Sequence, residues 1–189
     1  MGRSSYCDGV TTASPLPLAR STRFAALAVT LLLLVSCTPE PAPTPTPTPA
    51  FASEEEAFAA AEATYREFTA RLNEVDTTDP ETFEPLFDLS SGEFEKADRA
   101  AYSAMHAIQV SVQGETKIIS FAGKASTPPF TSIQANVCLD VSAVSVEDSE
   151  GNSRVDDDRP DVYALAITFV TEEGYLTIDS AKLDPEVTC

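Results

Sequence analysis

Between residues 54 and 75, apolar side chains return every three or four positions. Phe58, Ala61, Tyr65, Phe68, Leu72 and Val75 make one continuous stripe on a helix of about six turns. Ser53-Glu54-Glu55-Glu56 stands before it as a capping box, and its three acids suit the positive end of a helix dipole. Arg66, Glu67 and Arg71 fall off the stripe and should be solvated. Asp79-Pro80-Glu81 is a second start signal, with a capping acid and a proline at the first helical position. It predicts a short helix to about Phe87 that buries Phe83, Leu86 and Phe87. Ser90 and Glu93 open a third helix, from about Gly92 to Met105, with Phe94, Ala97, Ala101 and Met105 facing inward.

The period then changes to two. Ile108, Val110 and Val112 alternate with polar residues, Gly114-Glu115 marks a turn, and Lys117 to Ala122 is a second strand. After a break at Ser126 to Pro129, Ile133, Ala135, Val137, Leu139 and Val141 alternate with Gln134, Asn136, Cys138 and Asp140. The phase slips before Val144 and Val146, which predicts a bulge near Ser142 that bends the strand. Glu150-Gly151-Asn152 is a turn, and Arg154 to Asp161 is an acidic loop. Val162 to Val170 is apolar on both faces, as a central strand would be. Glu173-Gly174 is a tight hairpin turn leading to a last strand, Tyr175 to Leu183.

Helices followed by an antiparallel sheet of four or five strands make an α+β domain. This order resembles the nuclear-transport-factor-2-like fold, also called cystatin-like or SnoaL-like, over about Glu54 to Ser180. The resemblance rests on element order, on the long aromatic first helix and on the segment Ala135-Asn136-Val137-Cys138-Leu139-Asp140-Val141-Ser142. That segment is similar to the "C-x-D-x-S" strand of secreted actinobacterial members of unknown function, which also end in cysteine. The resemblance implies N-terminal helices packed into a strongly curved sheet, a cone with a pocket. Members that isomerise steroids or cyclise polyketides use Tyr/Asp or His/Asp arrangements, and no motif here maps onto those positions.

The N-terminal part is of another kind. Phe24 to Val35 is a run of twelve uncharged residues, too short to span a bilayer, which needs about 20. Arg20 and Arg23 precede it and Ser36 and Cys37 follow it, the layout of a secretory signal peptide. Leu34-Val35-Ser36-Cys37 resembles a bacterial lipobox, which implies diacylation of Cys37 as the first mature residue. The leader is long, and Val10 is an alternative start. Thr38 to Ala50 holds six of the fourteen prolines. Proline excludes helix and sheet there, so the segment should be a polyproline II spacer of roughly 40 Å. The organisation is then residues 1–36 as leader, 37–50 as acylated cysteine and linker, and 51–189 as the α+β domain.

Charge narrows the partners. With 12 basic and 30 acidic residues the chain carries −18, which argues against non-specific nucleic-acid binding and makes an anionic lipid surface repel the body of the domain. Cys7 leaves with the leader and Cys37 is the lipid site. Cys138 and Cys189 remain, an even pair in an oxidising compartment, and we expect them to be bonded. No zinc-like spacing and no cofactor motif is present. The segment Asp148 to Asn152 lacks the spacing of a calcium loop.

No catalytic motif stands out. His106, the only histidine, sits where the third helix meets the first strand, and Tyr65 and Tyr102 are the other residues that could line a pocket. The expected function is therefore a cell-envelope lipoprotein on the outer face of the bacterial cytoplasmic membrane. It would be held by its lipid and would display a non-catalytic domain for a protein or a small apolar ligand. A SnoaL-like isomerase or cyclase and a structural component of an envelope complex are the alternatives, and a homodimer stays open.

Overall fold

The structure is a computed structural model that describes residues 49–189. Helix α1 (Glu54–Glu74) begins at Ser53, whose Oγ accepts the Glu56 N–H at 3.2 Å. Glu56 reaches back one residue further than a standard box and accepts the Ala52 N–H at 2.8 Å. Ala57, Ala61, Tyr65, Phe68 and Thr69 are its buried residues. Off that stripe, Arg66 pairs with Glu62, and Arg71 with Glu67 and Glu74. A 3-10 turn, Pro80–Thr82, capped by Asp79, runs into the single-turn helix α2 (Glu84–Phe87). Phe83, Leu86 and Phe87 are buried there.

Helix α3 (Gly92–Ala107) departs from its expected face. Ala97 and Ala101 are exposed, and the side turned to the protein is Phe94, Asp98, Tyr102 and Met105. The aromatic pair decides this: Phe94 and Tyr102 lie eight residues apart, so both pack on the core only if Asp98, midway between them, turns inward too. No residue of α3 is fully buried.

Six strands follow: β1 (Ser111–Gln113), β2 (Lys117–Ser126), β3 (Ser132–Asp140), β4 (Ser145–Glu147), β5 (Val162–Glu172) and β6 (Tyr175–Leu183). They form a four-stranded antiparallel sheet in the order β2-β3-β5-β6 and a separate ribbon of β1 with β4. β5 is central, as its two-sided apolar pattern requires. The hairpin between β5 and β6 turns on Glu173 and Gly174, both at positive φ (51° and 88°).

The expected cone is not formed. Neither sheet is curled or closed, and β2 and β6 remain edges of the larger one. The reason is local. The long strand expected to bend through Ser142 instead ends at Asp140, whose carboxylate accepts both the N–H and the hydroxyl of Ser142. Val144 N–H then closes a turn on Val141 O at 2.9 Å. The residues beyond it, β4, pair with β1 rather than prolonging the sheet, so nothing carries the sheet round upon itself.

The core lies between α1 and one face of the sheet. Ile133, Ala135, Val137 and Leu139 of β3, with Ile167, Phe169 and Ile178, meet Ala57, Ala61, Tyr65 and Phe68. Each large side chain buried here contributes about 1.5–3 kcal/mol. Helix α1 runs antiparallel to β2 and ties down both of its ends. Asn73 donates to Thr116 O at 3.0 Å and accepts from Thr116 N at 2.9 Å, while Glu54 accepts the Ser126 N–H at 3.2 Å. Between these ties Phe58 lies flat on Gly123, where a Cβ would stand 2.6 Å from Phe58 Cδ2. Glycine is what allows the helix this approach.

Candidate functional site

Tyr65, Tyr102 and His106 do not share one cavity. Tyr65 is a core residue, 3% exposed, with its ring 6.1 Å from Phe68 and 6.4 Å from both Phe121 and Phe169. Burial pushes its hydroxyl pKa up. Tyr102 packs on Phe83 at 5.4 Å and Phe87 at 6.1 Å. It lines a cavity of about 140 Å³ with Leu72, Val75, Val112 and Val144, well below the few hundred Å³ that a small-molecule site needs. His106 lies one turn on and borders a different hollow, with Pro80, Phe83, Glu84, Phe87, Arg99 and Ser103.

His106 Nδ1 and the Arg99 cluster beside it are already engaged. The ring Nδ1 is 2.9 Å from Thr77 O. A carbonyl only accepts, so Nδ1 carries a proton and donates it to Thr77 O. Arg99 holds both oxygens of Glu84 at 2.9 and 3.1 Å and Glu95 at 2.7 Å, with its guanidinium 4.3 Å above the Phe87 ring. That pairing pulls the Glu84 carboxyl below its ordinary range. The cluster braces α3 against α2 and leaves little charge on Arg99 for an anion. On the inner side of α3, burial pushes Asp98 up to about 6. The Asp98 charge in turn helps burial to raise Tyr102. Sequence reasoning passed over Asp98, although the eight-residue spacing of Phe94 and Tyr102 points at it.

Among the described residues no group of three or more His, Cys, Asp or Glu side chains is placed to hold a metal ion. The Asp148 carboxylate is occupied by its own loop, accepting the backbone N–H groups of Glu150 and Asn152 at 3.0 and 2.9 Å.

An open, mostly apolar groove lies where β5 begins and β6 ends. Cys138 and Cys189 are bonded, their Cα atoms 5.6 Å apart. The bond folds the tail after β6 back onto the start of β5, where Asp184 N donates to Ala164 O at 2.9 Å. Within the tail the Asp184 side chain accepts the Glu186 N–H at 3.0 Å. A groove of about 380 Å³ opens between Pro160, Val162, Tyr163 and Ala164 on one side and Leu183, Asp184, Pro185 and Val187 on the other. Val162 is 39% and Leu183 66% exposed. Cys37, with the expected acyl group, the leader and most of the linker lie outside the described residues.

No protein-family model matches the chain, and no curated protein does. Among solved structures, the intermembrane space region of the chloroplast protein ARC6 is similar at a TM-score of 0.51 and 10% identity, over 67% of this chain and 95% of that one. Aln2 from a Streptomyces species reaches a TM-score of 0.43 at 13% identity, over 70% of this chain and 91% of that one. The likeness to ARC6 is one of fold only. The open sheet overturns the nuclear-transport-factor-2-like, SnoaL-like or cystatin-like membership expected from element order. The likenesses lend no support to the lipoprotein anchor. Element order misled because it is indifferent to where strands end and which strands pair.

Proposed function

We propose that residues 51–189 form a non-catalytic binding domain that works outside the cytoplasm, with a protein as its partner. The observation that carries this is the groove beside the disulfide. An exposed leucine next to an exposed valine, walled by two prolines, forgoes the roughly 1.5–3 kcal/mol that burying such a side chain yields. Surfaces of this kind serve for association. The disulfide tethers the tail that forms one wall, which lowers the order lost when a partner binds. The Cys138–Cys189 bond supports the compartment, because such bonds persist where the surroundings are oxidising. The engagement of His106 and Arg99 within the fold supports a brace in that region rather than a reacting centre.

The test is site-specific photo-crosslinking in the producing cell, with a benzophenone side chain at Leu183 or, for comparison, at Ser103 beside His106. A discrete protein adduct from position 183, absent from position 103, is the expected result. Adducts from both positions alike, or from neither, would refute the proposal.

A further inference from the structure

We infer that the groove takes an extended segment of a partner protein in which one or two aliphatic side chains are flanked by lysine or arginine. This rests on the binding reading and adds the chemistry of the partner. The floor is apolar: Pro160, Val162, Ala164, Leu183, Pro185 and Val187. Acids follow the lining on both sides. Asp184 lines the groove, Asp161 stands in the chain between the lining residues Pro160 and Val162, Glu186 between Pro185 and Val187, and Asp156, Asp157 and Asp158 precede Pro160 by two to four residues. All these acids but Asp184 are exposed. Of the two arginines between β4 and β5, Arg159 is turned inward, with Nη2 3.0 Å from both Val141 O and Val144 O, and Arg154 is exposed two residues before the acidic run begins. Among the described residues no cation lines the groove, and with Arg154 and Lys182 counted as its exposed chain neighbours the six acids still leave the balance negative.

Charge decides among occupants. A second copy would bring the same acids and another body of −18, so like charges would meet across the contact. An uncharged aliphatic ligand would leave the acids unused. An apolar segment with basic flanks fills the floor and neutralises the acids together.

The probe is a fluorescein-labelled peptide of sequence KKGVLVGKK, compared with EEGVLVGEE, titrated against the full oxidised chain by fluorescence anisotropy. We expect the lysine peptide to bind at least about tenfold more tightly than the glutamate peptide. Raising salt from about 50 to about 500 mM should weaken it. Leu183→Ser should weaken it about fivefold or more, whereas Ile119→Ser, at a position equally exposed on β2 (55%), should leave it unchanged. Both variants sit at exposed positions, and near-ultraviolet circular dichroism checks their folding. Equal binding of the two peptides, no binding of either, or a lysine-peptide affinity indifferent to Leu183→Ser, which would be attraction to the acidic chain at large, would each overturn the inference. So would dimerisation of the chain that Leu183→Ser abolishes. An adduct at position 183 in cells combined with a silent lysine peptide would sink the basic-segment chemistry while leaving the binding domain standing.

Discussion

Asp98→Asn should make the protein more stable at neutral pH, and the pH dependence of that gain is diagnostic. The Asp98 carboxyl is half-buried on the inner side of α3, and desolvation moves it from 3.8 to about 6. Among the described residues no hydrogen bond or ion pair offsets the burial. Between about pH 4 and about pH 6 the folded chain keeps a proton that the unfolded chain has released, so stability falls as pH rises through this window. Above it the full cost is present. The gap corresponds to about 3 kcal/mol at roughly 1.4 kcal/mol per tenfold, and partial solvent access cuts this to about 1.5 kcal/mol. Asparagine keeps the shape of the protonated acid and never ionises. Urea unfolding of both proteins at steps from pH 4 to pH 8 should therefore give a difference near zero at the acid end. It should climb through pH 5 to about 1.5 kcal/mol at pH 7, or about 5 °C in Tm for a domain of this size. A constant difference across the range would mean that the substitution acts by packing. No difference at pH 7 would mean that water reaches the carboxylate freely.

Three further perturbations test the frame of the domain. Gly123→Ala should cost about 1–3 kcal/mol by driving Phe58 off β2. That cost should largely vanish in a Phe58→Ala background, so additive losses in a double-mutant cycle would show that the two do not touch. Replacing Cys138 and Cys189 by serine opens a loop of sequence separation 51, worth about 4 kcal/mol in the chain-entropy model. Urea unfolding with and without reductant measures it, and a loss below about 1 kcal/mol would contradict the model. Asn73→Ala should cost about 1 kcal/mol and hasten hydrogen exchange at Thr116, whose N–H and carbonyl both bond to Asn73; unchanged exchange would dismiss the tie.

Local elements were legible because local physics sets them. The stripe from Phe58 to Leu72, the caps at Ser53 and Asp79, and the Glu173-Gly174 turn each depend on neighbours within four residues. The two-sided apolar run in β5 announced a central strand. What failed was pairing. Nothing in the period of Ile133 to Val146 says that Asp140 will bond its own Ser142 and end the strand, or that Val146 will pair with Val112. Those are choices between distant partners, and a one-dimensional period is silent on them. The face of α3 failed differently: alanines at the right spacing looked like core, while the larger aromatics, with more area to bury, claimed the inner side and took Asp98 along.

The groove was illegible for a further reason. Its walls come from residues about twenty apart in sequence, and they meet because β5 and β6 are paired and the tail is folded back. Leu183 ends one strand and Val162 begins another, positions where a single exposed apolar residue attracts no notice. The bond between Cys138 and Cys189, together with the Asp184 N–H on Ala164 O, holds the tail across β5, and with it Asp184 and Glu186. The same bond thus stabilises the domain and shapes its surface, and the two effects separate experimentally. Reduction in the absence of denaturant should leave the core packing of α1 on the sheet in place while freeing the tail beyond Asp184, whose N–H stays paired with Ala164 O. Lysine-peptide affinity should then fall, although near-ultraviolet circular dichroism at low temperature still reports a folded chain. If affinity survives reduction, the tail is no wall of the site, and the apolar start of β5 must bind alone.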